Sequence, residues 1–245
     1  MTNNKKIIVI VPAYNESGHI KEVIREIRAN VPVVVDIVII DDGSVDDTSS
    51  RALAAGAFVI QLPYNLGIGG AMQTGYRYAA QQHYDYAVRI DGDGQHDPAD
   101  ISAMLQALLE SDRDMFIGSR FLTKEGYQST WMRKIGIFTL SKLVGLVTGE
   151  HVTDPTSGYN VCNKKMIHLF AKQYPTDYPE VESLIMMKQY GCRFAELAVK
   201  MKPRASGKSS ISSWKSIYYM IKVVLAVLIM RTRKTQKPQR LERSF

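Results

Sequence analysis

The stretch IIVIVPAYNE, residues 7–16, decides the fold class. Ile7 to Val11 form an unbroken β-branched run with no polar face, as expected of a strand buried on both sides in a helix-covered parallel sheet. Beyond the loop of Pro12, Tyr14, Asn15 and Glu16, the apolar residues Ile20, Val23, Ile24 and Ile27 recur at helical spacing. The alternation continues outward. Strands are predicted at 33–40, 57–62, 86–90 and 115–117, and helices at 46–56, 67–82 and 98–110. Strands separated by helices imply right-handed crossovers and a mostly parallel α/β sheet. Ligands of such sheets bind beyond the carboxyl ends of the strands. The loops there read PAYNE (12–16), DDGSVDD (41–47), PYNLGIGG (63–70) and DGDGQHD (91–97).

The second half is less regular. Residues 131–148 suit a helix, and DPTSGYNV (154–161) is a loop leading to a short strand. A helix over 179–190 and an extended segment over 193–202 follow, then the basic small-residue loop RASGKSS (204–210). No internal repeat or linker is visible, so one domain over 1–210 with an appendage over 211–245 is the simplest organisation. Residues 217–230 are apolar apart from Lys222. As a helix they would span about 21 Å, short of the roughly 30 Å of a bilayer core. Trp214, Tyr218 and Tyr219 precede this segment, and Arg231, Arg233, Lys234, Lys237, Arg240 and Arg243 follow it. That pattern suits an interfacial anchor, with a core helix or a homo-oligomer contact as the alternatives.

The 245 residues carry a net charge of +7, which suits an acidic partner. Much of the excess lies in the tail, so the body is nearer neutral and a nucleic-acid face is not expected. Cys162 and Cys192 have no metal-ligand or CxxC spacing, as in a reduced compartment. The apolar run at 7–11 is too short for a signal peptide. These features together predict a peripheral protein on the cytoplasmic face of a membrane.

Asp91 and Asp93 stand one residue apart where a buried strand ends. Two such carboxylates repel, and a hard cation, Mg2+ or Mn2+, relieves the repulsion while leaving room for phosphate oxygens. The segment Asn65–Gly70 precedes a helix whose first N–H groups could face an anion. It is no dinucleotide fingerprint, because the first strand-to-helix turn has no glycine before Gly18, and no P-loop motif occurs.

PAYNE (12–16), DDGSVDDT (41–48), NLGIGGAMQTGYRYA (65–79), DGDGQHDP (91–98), GSRF (118–121) and DPTSGYNV (154–161) occur in this order. Together they resemble the inverting family-2 glycosyltransferases, in particular the dolichyl- and polyprenyl-phosphate sugar synthase branch, over roughly residues 6–210. The resemblance implies a GT-A fold, a nucleotide-sugar donor and a divalent metal. By position, Pro12, Tyr14 and Glu16 would hold the nucleoside and Asp42 would meet the base. Asp91 and Asp93 would lie at the diphosphate and metal, with Gln95 a further ligand and His96 an orienting partner. Arg120 would meet a phosphate, and Asp154 would lie near the reacting centre. Arg133 corresponds to a phosphate-binding arginine whose partner, a serine four residues on in the family, is Ile137 here. Each assignment has a structural alternative: turn geometry for Pro12, packing for Tyr14, helix capping for Glu16 and turn capping for Asp42. Arg120 would in that case pair a structural carboxylate, and Asp154 would form a turn.

The acceptor expected first is a polyprenyl phosphate, with a glycan hydroxyl as the alternative. A polyprenyl phosphate is already an anion and needs only positioning, for which Arg120, Arg133, Arg204 and Lys208 are candidates. A hydroxyl of a lipid-linked cell-wall or capsular glycan needs a base, with Asp154 first and Glu180 or Glu182 second.

Overall fold

A computed structural model describes residues 5–123, 131–202 and 222–227, with side chains from 135 onward in the second segment. The elements are β1 (Ile7–Ala13), α1 (Ile20–Asn30), β2 (Asp36–Asp41), α2 (Thr48–Ala54), β3 (Phe58–Gln61), α3 (Gly67–Gln81), β4 (Tyr86–Arg89), α4 (Asp100–Leu109), β5 (Met115–Ser119), α5 (Trp131–Thr148), β6 (Asn160–Asn163), α6 (Lys164–Lys172), α7 (Pro179–Gln189) and β7 (Phe194–Ala198). The seven strands form one sheet in the order β3-β2-β1-β4-β6-β5-β7. All pairings are parallel except those of β6, which runs antiparallel to both β4 and β5. The predicted helix-flanked, mostly parallel sheet is therefore present.

The β-branched run of β1 explains the layering. Ile8 and Ile10 face one side, packing with α3, α6 and α7 through Met72, Phe170 and Leu184. Ile7, Val9 and Val11 face the other, against Ile24 and Ile27 of α1 and Leu105 of α4. Neither side of the strand meets water, as its composition requires.

Two strand boundaries and one helix differ in instructive ways from the sequence reading. β1 extends through Pro12 to Ala13, so Pro12 is a buried strand residue rather than a loop residue. Its missing N–H is tolerated for a geometric reason. The Ile10 carbonyl faces β4, so Pro12, two residues on, faces the same way, and β4 pairs with β1 only as far as Ile10. β2 begins at Asp36, opposite Ile8, and Val34 before it stands in solvent. Helix α6 was not anticipated. Its start is capped by the Asn163 side chain, which accepts from the Met166 N–H at 3.1 Å, and Met166, Ile167, Leu169 and Phe170 are buried.

The short helical stretch 222–227 lies within the predicted anchor. Val223 and Val227 are fully buried in the cluster that holds Leu140 and Val144 of α5, while Lys222 and Leu225 are exposed. One face of this stretch is thus core, as in the core-helix alternative. The loop at 204–210 with Arg204 and Lys208, the aromatic residues before 222 and the basic tail after 230 lie outside the described residues. Among the described residues no helix is long and apolar enough to cross a membrane.

Gly75 sets how closely α3 approaches the sheet. A Cβ there would lie 2.4 Å from Cγ2 of Ile10, a stiff, fully buried side chain. Alanine improves a helix by roughly 0.5–1 kcal/mol over glycine, whereas overpacking costs about 1–3 kcal/mol. Gly75→Ala is therefore expected to lower the urea unfolding midpoint, followed by far-ultraviolet circular dichroism, despite the better helix former.

Candidate active site at the carboxyl edge of the sheet

Strand direction gathers the site. The parallel strands β1, β2, β4 and β5 all end at one edge, delivering Tyr14–Glu16, Asp41–Asp42, Asp91–Asp93 and Arg120 there. Because β6 runs the opposite way, its start lies at that same edge, and the loop at 154–159 enters between β4 and β5. Asn160 pairs with Arg89 on one side and Ile117 on the other.

The first two loops are stitched together. Asn15, in the left-handed region at φ 55°, donates its N–H to Ser44 Oγ and accepts the Val45 N–H on its side-chain oxygen, both at 2.9 Å. The Glu16 N–H donates to Thr48 Oγ1 at 2.8 Å, and its carbonyl accepts from His19 and Ile20, starting α1. Tyr14 stands exposed above these loops. Asp41 is buried and accepts from the Ser44 N–H and the Ser49 hydroxyl. Asp42 is also buried, and its Oδ1 accepts the Leu66 N–H at 2.7 Å, tying the 63–67 loop to β2. The turn at Ser44 is capped by Asp41, not by Asp42.

The DGDGQH loop is organised by a buried imidazole. His96 stacks on Tyr159, with ring centroids 4.9 Å apart, and its Nδ1 accepts the Asp91 N–H at 3.1 Å. Burial lowers the His96 pKa, in keeping with a neutral ring whose Nδ1 is an acceptor. Gln95 donates its N–H to Asp93 Oδ1 at 3.1 Å and accepts the Lys202 N–H on its carbonyl. Asp91 keeps about a third of its side chain exposed, with Arg89 Nη2 at 3.5 Å from Oδ1 and His96 Nε2 at 3.9 Å from Oδ2. Burial raises the Asp91 pKa, but the charge and hydrogen bond of Arg89, with His96 and Arg120 adding to them, together more than offset it, and the carboxyl ends below its ordinary value.

Two buried arginines, one missed by the sequence reading, face these acids. Arg120 grips Asp154 in a bidentate pair, Nε to Oδ2 at 2.5 Å and Nη2 to Oδ1 at 2.7 Å. Its backbone N–H and the Thr156 hydroxyl also donate to the same carboxylate. Asp154 is fully buried, and its own N–H donates to Glu196 Oε1 at 2.8 Å. Asp154 is therefore an ion-pair partner for Arg120, the alternative raised for that arginine. Arg89, on β4, is 2 % exposed and meets Glu180 of α7 at 2.6 Å. Glu180, not Glu182, is thus the α7 acid that pairs with the site's buried arginine. The signal for Arg89 was a charged residue inside an otherwise apolar strand. The Arg133 side chain lies outside the described residues.

An apolar groove of about 680 Å3 begins next to the Arg120–Asp154 pair. Phe121 and Thr153, the chain neighbours of that pair, line one end, and Ile137, Phe138 and Leu146 of α5 line its length. Phe138 and Leu146 are largely exposed.

Asp91 and Asp93 fit a hard divalent cation. Both are oxygen donors at a partly open position, and the backbone makes room: a Cβ on Gly158 would lie 2.9 Å from Asp91 Oδ2. Among the described residues no three His, Cys, Asp or Glu side chains form a closed cage. Two carboxylates suit a cation that takes its other ligands from water and phosphate.

The chain matches the family described as Glycosyl transferase family 2 over residues 8–170. It is 29% identical over 217 residues to a UDP-N-acetylglucosamine–dolichyl-phosphate N-acetylglucosaminyltransferase of Methanococcus voltae, covering 80% of this chain and 86% of that protein. It is 28% identical to an undecaprenyl-phosphate mannosyltransferase of Micrococcus luteus, covering 84% and 88%. Among solved structures, glucosyl-3-phosphoglycerate synthase from Mycobacterium tuberculosis, in complex with Mn2+, UDP and glucosyl-3-phosphoglycerate, superposes with a TM-score of 0.70 at 22% identity, covering 94% of this chain and 81% of that one. The shared architecture is the GT-A fold.

Removing one partner of a buried ion pair leaves the other charge unsatisfied, at a cost of about 3–5 kcal/mol. Asp154→Asn is expected to lower stability by an amount in that range, measured by urea titration. A loss below about 0.5 kcal/mol, typical of a surface change, would contradict the buried pairing.

Proposed function

Because the chain belongs to glycosyl transferase family 2, we propose that this glycosyltransferase moves a sugar from a nucleoside-diphosphate sugar to a polyprenyl phosphate, with inversion at the anomeric carbon. The observation that carries the choice of acceptor is that Asp154 and Glu180, both candidate bases for a hydroxyl acceptor, are held by arginines. A phosphate monoester needs no base, since its oxygen is already a nucleophile at neutral pH. The relatives named for dolichyl- and undecaprenyl-phosphate transfer support the same reading, as does the groove beside Arg120.

In this reading Tyr14 and Glu16 border the nucleoside. Pro12 and Asp42 act from behind, Pro12 as a strand residue and Asp42 by fixing the 63–67 loop that closes this side. Asp91, Asp93 and Gln95 would hold Mg2+ or Mn2+ at the diphosphate, supported by the Mn2+ and UDP of the solved relative. When bound, the cation supplies Lewis-acid stabilisation of the charge that gathers on the leaving diphosphate. Arg120, fixed by Asp154, adds permanent positive charge beside the two phosphates that must approach each other. The acceptor oxygen bonds to the anomeric carbon from the face opposite the diphosphate. The old carbon–oxygen bond breaks, and its electron pair leaves with the nucleoside diphosphate. His96 keeps the Asp91–Asp93 loop in register throughout by accepting the Asp91 N–H. The groove along α5 takes the first isoprene units, and exposed Phe138 and Leu146 face the membrane surface from which the lipid comes.

Incubation with labelled UDP- or GDP-sugar, Mn2+ and a short polyprenyl phosphate as sole acceptor is expected to give a chloroform-extractable product. Asp93→Ala is expected to reduce its formation on the order of a thousandfold, as when a transition-state charge stabiliser is removed. Product that stays in the aqueous phase and requires an added glycan would overturn the acceptor assignment.

Phe138→Glu tests the groove separately. It is expected to raise KM for the polyprenyl phosphate about tenfold, the equivalent of about 1.4 kcal/mol of apolar contact. Hydrolysis of the donor in the absence of acceptor should be unchanged. An unaltered lipid KM would place the isoprenoid elsewhere.

A further inference from the structure

Glu180 and Arg89 have no role in the account so far beyond their mutual pairing, although the pair lies directly behind Asp91. Arg89 remains charged: burial opposes its protonation, and Glu180, then Asp91, more than restore it. Its guanidinium is shared unequally. Nη2 lies 2.6 Å from Glu180 Oε1 but 3.5 Å from Asp91 Oδ1. Nη1 reaches only the Tyr174 hydroxyl, at 3.5 Å, and Nε is buried with no hydrogen-bond partner among the described residues. Glu180 is therefore the one close anchor of a charge that Asp91 also attracts. Gly158 shows how tightly the three are set. A Cβ there would lie 2.9 Å from both Arg89 Nη2 and Asp91 Oδ2, so a side chain at 158 would displace one or the other.

We propose that Glu180 is a positioning residue for the cation site: it holds the Arg89 guanidinium off Asp91, leaving that carboxylate's charge for the divalent cation. This rests on the reading of Asp91 and Asp93 as cation ligands. An arginine a few ångströms from a metal ligand competes with the metal for it, and at such distances in a protein the competition is strong. With Glu180 neutral, Asp91 becomes the guanidinium's partner, because the other acid lining this space, Asp154, is already held by Arg120. With both charges removed, the competition disappears. The pair thus sets cation affinity from outside the coordination shell, as residues that orient metal ligands do.

The test is a double-mutant cycle read by Mn2+ binding rather than turnover. Mn2+ is titrated by electron paramagnetic resonance in the presence of UDP or GDP, whichever the wild-type protein retains. Thermal melting confirms that each variant is folded. Glu180→Gln is expected to raise the Mn2+ Kd about tenfold or more, Glu180→Asp to raise it less, and Arg89→Met combined with Glu180→Gln to return it to within about threefold of wild type. Unchanged Mn2+ binding in a folded Glu180→Gln protein would overturn the proposal. If that variant also lost turnover, Glu180 would instead be a base. Weak binding that the double variant fails to restore would also overturn it, leaving a purely structural pair. If the wild-type protein and nucleotide bind no Mn2+, the cation reading fails and this inference with it.

Discussion

The structure is organised around the crowding of carboxylates at one edge of a sheet. Asp41, Asp42, Asp91, Asp93, Asp154 and Glu180 all converge there, in surroundings too dry for like charges to coexist unaided. Two buried guanidiniums make the arrangement stable. Arg120 is held by Asp154, and Arg89 is divided between Glu180 and Asp91. Asp41 and Asp42 are instead satisfied by backbone N–H and hydroxyl donors. Asp91 shares its arginine with Glu180, and in the proposed reading a cation and a diphosphate complete the balance at 91 and 93.

The antiparallel strand β6 is what makes this possible. A parallel strand in its place would carry the 154–159 loop to the opposite edge, separating Asp154 from Arg120 and Gly158 from Asp91. Insertion of β6 between β4 and β5 places Asn160 between Arg89 and Ile117. One narrow space behind the site is consequently lined by Arg89, Asp154, Asn160 and Glu180 together.

The parallel half of the fold was legible because strands buried on both faces must be continuously apolar, and Ile7–Val11 and Ile37–Ile40 are. Its ends were less so. Pro12 reads locally as the end of a strand, and only the early departure of β4 lets β1 continue through it. The four residues of β6 carry no periodicity, so neither its direction nor its neighbours could be read. Helix α6 starts directly after that strand with two lysines, which disguise the stripe from Met166 to Phe170. The acids of the site stood out because they interrupt apolar or glycine-rich context. Their partners did not, since pairing of Arg120 with Asp154 spans 34 positions and that of Arg89 with Glu180 spans 91. Local sequence identifies a charged residue at a strand end; only the crossing of distant segments decides whether it meets a ligand or another side chain.

That distinction bears on the chemistry. Asp154 and Glu180 each already accept from a guanidinium, at 2.5 and 2.6 Å. In the proposed reading, that leaves the edge to a nucleophile that arrives already ionised and the groove along α5 to its apolar tether. Phe138 and Leu146 would each contribute roughly 1.5–3 kcal/mol if buried, yet the fold leaves them on the rim of the groove while burying Leu140 and Val144 of the same helix. A helix that satisfies its core with one face and keeps large apolar residues on another is divided between the protein and a second apolar phase. Under the proposed lipid-phosphate acceptor, that second phase is the lipid, and Phe121 and Thr153, the chain neighbours of Arg120 and Asp154, line one end of its groove.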